Sequence, residues 1–352
     1  VIIGIPGAKL VKKIGYMRGA VAGLLTMMAG CLLFIPASQT ATYAIFLFAL
    51  FVLASGVVIV QVVANPLISL LGPPSTTHSR LTFAQAFNSL GTTIFPIVGA
   101  ALILGSLATI SADQLSGADL QAYRQAESEA IWQGYLGLAA LIALVALAVW
   151  LFRNRLQGET HEASEGLAGL DLLKRGRFGY GALCIFLYVG AEVSIGSVVI
   201  NYLSGERVLG QPESVIGWMI GLYWGGAMIG RFIGSVFLRL FSPGKILAFN
   251  AAGAIALIVI STTSSGSIAA YSLLAVGLMN SIMFPTIFSL ACEKLGPRAA
   301  DGSGIINVAI CGGAIVPLLY GVVADATGGN LAVAMIIPII CYAIIAGFGV
   351  FA

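Results

Sequence analysis

Two pairs of carboxamide side chains stand out in a sequence that is otherwise strongly apolar. Gln61 and Asn65 are four residues apart, and Gln85 and Asn88 are three apart. Residues at these spacings share one face of a helix. A carboxamide both donates and accepts hydrogen bonds, so these faces could bind a ligand that carries several hydroxyl groups. Hydrogen bonding between helices is the alternative, but two such pairs on consecutive apolar segments favour a polar cavity.

A single acidic residue adds a second kind of chemistry. Glu192 lies near the middle of an apolar segment, and Tyr188 precedes it by one helical turn. Arg231 is the only basic residue within such a segment, so we predict no ion pair for this acid. A carboxyl group in that setting is suited to take up and release a proton. The alternative is a carboxyl group that is held by fixed hydrogen bonds between helices.

The second half of the chain supplies further polar and aromatic candidates. Trp224 could stack on the apolar face of a sugar ring, and Asn280 lies within an apolar segment. Asn250 and Asn307 are weaker candidates of the same kind. We predict no catalytic group, cofactor or metal, because both histidines fall in predicted loops and the five cysteines lack the spacing of metal ligands.

The elements that position these residues must be membrane-spanning helices. Of the 352 residues, 59% are hydrophobic and only 9% are charged, whereas a soluble domain carries about 25% charged residues. A spanning helix needs roughly 20 mostly apolar residues. The composition therefore predicts an all-α polytopic membrane protein. A net charge of +3 gives no reason to expect a nucleic-acid partner.

Ten apolar runs are long enough to cross a bilayer, and a shorter helical tail at residues 1–8 precedes them. The predicted spans are 19–37, 42–71, 81–105, 131–152, 179–203, 214–237, 246–264, 267–292, 303–325 and 331–352. The chain opens at Val1 and reaches Lys9 too soon to span a bilayer. We therefore expect a truncated N-terminus, from which a first helix and most of a second are missing.

The basic residues orient these spans. Fourteen of the seventeen lysines and arginines fall in alternate loops on one side, and only Arg124 and Arg207 fall in the opposite loops. The positive-inside rule places the first set in the cytoplasm. A polar stretch at 153–178 lies on that side, and we interpret it as a cytoplasmic linker. It would join an N-terminal bundle, 1–152, to a C-terminal bundle, 179–352.

The two predicted bundles carry related motifs. Asn65-Pro66 precedes Gly72-Pro73 in the first, and Phe284-Pro285 precedes Gly296-Pro297 in the second. Weak parallel repeats of this kind mark the two pseudo-symmetric six-helix halves of a major facilitator fold.

Five segments, in one order, resemble the fucose–galactose–glucose/proton symporter family of the major facilitator superfamily. They are QVVANP at 61–66, RLTFAQAFNSLG at 80–91, YVGAE at 188–192, GRFIG at 230–234 and FPTIFSL at 284–290. The resemblance runs through almost the whole chain. It is strongest with the bacterial glucose/galactose type, and relatives that carry N-acetylglucosamine are similar as well.

This resemblance implies roles for particular residues. The fucose type has a glutamate, tied to proton handling, where this chain has Gln61, and a glutamine where it has Glu192. The glucose/galactose type resembles this chain at both positions. Gln85 and Asn88 match amides that line the family's sugar cavity. The family's other key acid, an aspartate on its first helix, has no counterpart in this sequence.

We therefore expect a secondary transporter that imports glucose or galactose by proton symport through alternating access. The predicted partners are a neutral monosaccharide, a proton and the lipid bilayer, for a monomer in the bacterial inner membrane. The alternatives are an N-acetylglucosamine or fucose symporter, a sodium-coupled sugar symporter, a sugar sensor that does not transport, and a membrane-embedded enzyme. With Glu192 as the proton-coupling group, the predicted substrate-binding residues are Gln61, Asn65, Gln85, Asn88, Tyr188, Glu192, Trp224 and Asn280.

Overall fold

The computed structural model describes residues 3–40, 42–104, 116–154 and 170–352, and the regular structure of these residues is helical. The first helices are α1 (Gly4–Ile14), α2 (Tyr16–Thr40), α3 (Tyr43–Leu70), α4 (Thr77–Leu104) and α5 (Gly117–Leu151). The later helices are α6 (Gly176–Ser204), α7 (Glu213–Ile216), α8 (Ile220–Leu240), α9 (Pro243–Thr263), α10 (Gly266–Asn280), α11 (Met283–Cys292), α12 (Ala299–Ala309), α13 (Gly312–Ala326), α14 (Leu331–Ala334) and α15 (Ile336–Phe351).

Each of the ten predicted spans corresponds to one helical passage. Four of the passages are interrupted, at the junctions α7–α8, α10–α11, α12–α13 and α14–α15. Within the described ranges, eight passages are long and apolar enough to cross a membrane. The helices α4 and α8 are not among those eight. These two helices carry the candidate amides Gln85 and Asn88 and the charged residue Arg231.

The start of the chain differs from the sequence prediction. The described residues open with two helices, α1 and the 25-residue α2, which are separated only by Gly15 at a positive φ of 84°. The prediction that a first helix and most of a second are missing is not supported by this structure.

The chain divides into two compact units. The smaller unit holds Ile2–Ala64 and Ile94–Ala163, and the larger unit holds Asn65–Thr93 and Ser164–Ala352. Residues 65–93, the end of α3 and most of α4, are therefore grouped with the second half of the sequence. The predicted bundles 1–152 and 179–352 stay a prediction, and residues 155–169 of the predicted linker lie outside the described ranges.

In the smaller unit, α2 packs along α5. Phe34 on α2 stacks on Tyr135 of α5, with ring centroids 3.9 Å apart and planes 8° apart. Cys31, Ala139 and Ile142 form a small buried core beside this pair. The contact between these two helices is thus a continuous apolar seam.

In the larger unit, α6 packs against α11, α13 and α15, and α10 packs against both α8 and α9. Two glycines allow these close approaches. A Cβ atom at Gly277 would overlap the carbonyl oxygen of Tyr223, and one at Gly312 would overlap the carbonyl oxygen of Phe186. The short distance between α8 and α10 brings the Tyr223 side chain next to Asn280.

A charged cluster ties the segment before α6 to the loop before α12. Both oxygens of the Asp171 carboxylate accept hydrogen bonds from the guanidinium group of Arg298, each at 2.6 Å. Asp301 lies 3.4 Å from the same guanidinium group. The hydrogen bonds from Arg298 stabilise the charged form of Asp171 and lower its pKa to about 2.

Candidate functional site

The centre of the candidate site is Asn280, the last residue of α10, whose side chain is fully buried. Its amide nitrogen donates a hydrogen bond to the hydroxyl group of Tyr223 at 2.9 Å. Its amide oxygen accepts one from the hydroxyl group of Tyr342 at 2.7 Å. Asn280 therefore joins α8, α10 and α15 through side chains that are all buried.

Glu192 lies beside this asparagine on α6. The Tyr188 hydroxyl group, one turn earlier, lies 2.7 Å from Oε1 of Glu192 and 3.1 Å from the backbone oxygen of Asn280. The Tyr223 hydroxyl group donates to the backbone oxygen of Glu192 at 3.1 Å. In the described part of the chain, no basic group lies within ion-pair distance of this carboxyl group. The hydrogen-bonding partners of this acid are thus neutral, and the charge of Arg231 acts on it from beyond ion-pair distance.

Arg231 connects the Asn280 network to a break between α10 and α11. Pro285 has no backbone N–H, so it cannot bond to the carbonyl oxygen of Ser281 four residues earlier. The Nε atom of Arg231 donates to that oxygen at 3.0 Å. The guanidinium group of α8 thus replaces the hydrogen bond that proline removes from the helical passage 266–292.

The same arginine also reaches α4. Its Nη1 atom donates to the backbone oxygen of Gln85 at 3.3 Å and to the hydroxyl group of Ser89. The side chain of Gln85 in turn donates from Nε2 to Oδ1 of Asn65 on α3, at 3.1 Å. A series of polar contacts, which we call the polar chain, therefore runs through the larger unit from α3 and α4 to Arg231. It reaches the residues around Glu192 through the peptide bond between Asn280 and Ser281.

The structure brings five of the eight predicted site residues into this chain. They are Asn65, Gln85, Tyr188, Glu192 and Asn280. Trp224 lies next to the polar chain. The Trp224 ring packs edge-on against Tyr223, with ring centroids 5.0 Å apart, and Trp224 is 40% exposed.

The remaining two predicted residues are exposed amides. Asn88 lies three residues after Gln85 on α4, and its side chain has no hydrogen bond to any described residue. Gln61 belongs to the smaller unit, four residues before Asn65 on α3. The structure therefore does not join either of them to the polar chain, and each keeps a free face for a ligand.

Three residues of the polar chain were not among the predicted site residues. The two tyrosines, Tyr223 and Tyr342, lie in apolar segments where an aromatic residue is ordinary core, so their hydroxyl groups gave no signal. Arg231 did give a signal in the sequence, because a basic residue inside a span is rare and usually functional.

The weaker candidates Asn250 and Asn307 do not belong to the polar chain. The side chain of Asn307 bonds to the backbone oxygen of Ser303 on its own helix. Within the described ranges, no three His, Cys, Asp or Glu side chains gather as metal ligands.

Comparison with known proteins gives matches along nearly the whole chain. Residues 1–318 match the model of the Major Facilitator Superfamily. The chain is 47% identical over 348 residues to a glucose/galactose transporter of Brucella abortus (strain 9-941), covering 99% of this chain and 81% of that protein. It is 36% identical over 356 residues to an L-fucose-proton symporter of Escherichia coli K12, covering 98% and 80%.

A solved structure agrees with these sequence matches. The crystal structure of the Major Facilitator Superfamily transporter FucP in the outward conformation superposes with a TM-score of 0.91 and 34% sequence identity. That match covers 100% of this chain and 86% of the other. Together, the sequence and structure matches confirm the resemblance predicted from the five segments.

Proposed function

The chain belongs to the Major Facilitator Superfamily, and we propose that it is a secondary transporter that moves a neutral hexose, glucose or galactose, together with a proton. It is a multi-pass membrane protein whose relatives are transporters, so the prediction that it is not an enzyme is confirmed. The observation that carries the proposal is the carboxyl group of Glu192 within a buried network of tyrosine and asparagine side chains. A glucose/galactose transporter and an L-fucose-proton symporter among the relatives support both the sugar and the proton.

The polar groups of the site fit a neutral ligand. Arg231 is occupied by two backbone oxygens and a serine hydroxyl group, so its charge is held by neutral protein groups. Glu192 is the one acid in the polar chain. A sugar needs donors and acceptors but no full counter-charge, and carboxamides supply both. We assign the sugar contacts to the exposed or half-buried side chains Gln61, Gln85, Asn88 and Trp224, together with Glu192.

The buried members of the predicted set take a different role in this proposal. Both ends of the Asn280 amide are already bonded to tyrosine hydroxyl groups, and Asn65 already accepts from Gln85. These side chains have few free hydrogen-bonding positions for a sugar. We infer that they act as positioning residues, which hold Tyr223, Tyr342 and Gln85 in place.

The hydrogen-bond count around Tyr188 supports a coupling role for Glu192. The hydroxyl group of Tyr188 has one proton and faces two acceptors, the Glu192 carboxyl group and the Asn280 backbone oxygen. With Glu192 ionised, one proton must serve both acceptors. With Glu192 protonated, the carboxyl group donates to Tyr188, and Tyr188 donates to the backbone. The network therefore has a place for one additional proton, and Tyr188 senses whether that proton is present.

Transport would follow the alternating access of this superfamily. In that mechanism, two helix bundles rock around a site near the middle of the membrane. We propose that residues 1–152 and 179–352 are these bundles and that 153–178 links them on the cytoplasmic side. A monomer in the bacterial inner membrane would suffice for this cycle, and the bacterial relatives support that location.

Uptake into proteoliposomes tests the proposal. Vesicles that contain the chain are loaded in sodium-free buffer, and an inward proton gradient is imposed in the presence of labelled glucose, galactose, L-fucose or N-acetylglucosamine. We expect accumulation of glucose or galactose that disappears when a protonophore collapses the gradient. Accumulation of only one of the other two sugars would overturn the substrate assignment. Uptake that requires sodium would overturn the proton coupling, and sugar binding without uptake would identify a sensor.

A further inference from the structure

A groove of about 550 Å³ lies on the larger unit and borders the polar chain described above at Ser281. Its walls are α8 and α9, and its floor is α10. These two walls follow each other in sequence with only Phe241 and Ser242 between them. The helix α8 nevertheless packs mainly on α10, α9 packs on both α10 and α15, and α8 and α9 hardly contact each other. The two helices therefore diverge from their shared turn and leave an elongated space between them.

The walls of the groove are apolar and accessible. Ile233 and Phe237 on α8 are about half exposed, and Phe249 on α9 is 71% exposed. Gly230 and Gly234 also line it, and a Cβ atom at Gly234 would overlap Ile282 on the floor. The glycines hold α8 against α10 and add no side chains of their own to fill the space. Such a lining suits a hydrocarbon chain.

The turn between the two walls carries positive charge. Lys245 lines the groove in the first turn of α9, and Arg239 lies in the last turn of α8. Neither side chain has an acidic partner within the described ranges. The distribution of basic residues assigns this turn to the cytoplasmic side, where membrane lipids carry anionic headgroups. The charge at this end of the groove is therefore complementary to an anionic headgroup.

Asn250 supplies a third polar group at a different depth. It lines the groove, is half-buried, and has no side-chain hydrogen bond to any described residue. It lies five residues after Lys245, which is about 7.5 Å further along the axis of α9. An amide at that depth is suited to meet the ester groups of a lipid whose phosphate lies at Lys245.

We propose that this groove binds one anionic phospholipid. The phosphate contacts Lys245, and Arg239, which does not line the groove, adds to the positive charge of the same turn. An ester carbonyl oxygen accepts from the Asn250 amide, and an acyl chain lies between α8 and α9 over the floor of α10. None of these lipid-contacting residues is assigned to the sugar, so the test does not depend on the substrate assignment.

Native mass spectrometry of the full chain, purified in detergent and stripped of lipid, tests the proposal. Phosphatidylglycerol and phosphatidylcholine with the same acyl chains are added in turn. We expect one phosphatidylglycerol to bind in preference to phosphatidylcholine. Lys245→Gln and Arg239→Gln should each reduce that preference about fivefold, from the attraction of one basic residue to an anionic surface. Both side chains are exposed, so these variants should fold normally.

Two further variants separate the groove from general surface charge. Lys174→Gln removes an exposed cation that is also assigned to the cytoplasmic side, but this residue lies before α6, outside both the groove and the α8–α9 turn. It should leave the preference unchanged. Asn250→Leu should weaken the binding of both lipids without changing their ratio. Equal binding of the two lipids by the wild type would overturn the proposal. It would also be overturned if Lys174→Gln reduced the preference as much as Lys245→Gln.

Discussion

The hydroxyl group of Tyr188 lies 2.7 Å from Oε1 of Glu192, one turn along the same helix. The same hydroxyl group is 3.1 Å from the backbone oxygen of Asn280. Tyr188 thus connects the acid of α6 to the end of α10, where the helical passage is interrupted. In the proposed coupling, a change in the protonation of Glu192 would reach the Asn280 backbone oxygen through this hydroxyl group.

Replacing Tyr188 by phenylalanine should alter the coupling while the fold is kept. The ring still packs, but the hydrogen bonds to Glu192 and to the Asn280 backbone are lost. We expect the pH dependence of proton-driven uptake to change. Tyr180→Phe is the matched control, because Tyr180 lies two turns earlier on α6 and bonds only to the Ile344 backbone oxygen. Identical pH profiles for Tyr188→Phe and the wild type would contradict this role.

Replacing Asn280 by alanine should destabilise the protein. The change leaves the hydroxyl groups of Tyr223 and Tyr342 without their partner, and an unsatisfied buried group costs about 1–3 kcal/mol. We expect a lower midpoint of thermal unfolding in detergent. Asn201→Ala is the control, because that amide bonds to Glu213 at an exposed position. If the two variants unfold at the same temperature, the Asn280 network contributes no stability.

Arg231 and Pro285 should be coupled energetically. Arg231→Met removes the donor to the Ser281 carbonyl oxygen, whereas Pro285→Ala restores a backbone N–H that can bond to the same oxygen. Arg231→Met should therefore destabilise the Pro285→Ala protein less than the wild type, by about 1 kcal/mol in a double-mutant cycle. Purely additive effects on thermal unfolding would show that the arginine does not replace the missing helical bond.

The exposed amides should control sugar affinity. Asn88→Ala removes a carboxamide that has no hydrogen bond to any described residue, so we expect little change in stability. The Michaelis constant for uptake should rise about tenfold, as for the loss of one or two hydrogen bonds to the sugar. Asn201→Ala again serves as the control and should leave the constant unchanged. If Asn88→Ala leaves the Michaelis constant unaltered, Asn88 does not contact the sugar.

The sequence alone could predict most of the helices and part of the site. The ten spans follow from apolar runs of sufficient length. The sequence favoured a polar cavity lined by the amides of consecutive helices, whereas the hydrogen bond from Gln85 to Asn65 corresponds to the alternative, bonding between helices. The contact between Arg231 and Ser281 could not be predicted, because it depends on how α8 and α10 approach each other at Gly277. The roles of Tyr223 and Tyr342 were hidden for a similar reason: a tyrosine in an apolar segment gives no sign of its hydroxyl partner. The sequence analysis overlooked the significance of Pro285. Because proline has no backbone N–H, it leaves the carbonyl oxygen of Ser281 without its helical hydrogen bond.

The central claim is that the Glu192 carboxyl group couples sugar movement to a proton, and Glu192→Gln tests it most directly. Glutamine keeps the size and the hydrogen bond from Tyr188, but it cannot exchange a proton. Proteoliposomes of the variant and the wild type are compared for uptake driven by a proton gradient and for exchange of labelled against unlabelled sugar at equal pH. We expect gradient-driven accumulation to fall at least about tenfold, while exchange continues and no longer depends on pH. Accumulation by the variant at the wild-type level, with an unchanged response to pH, would contradict the claim.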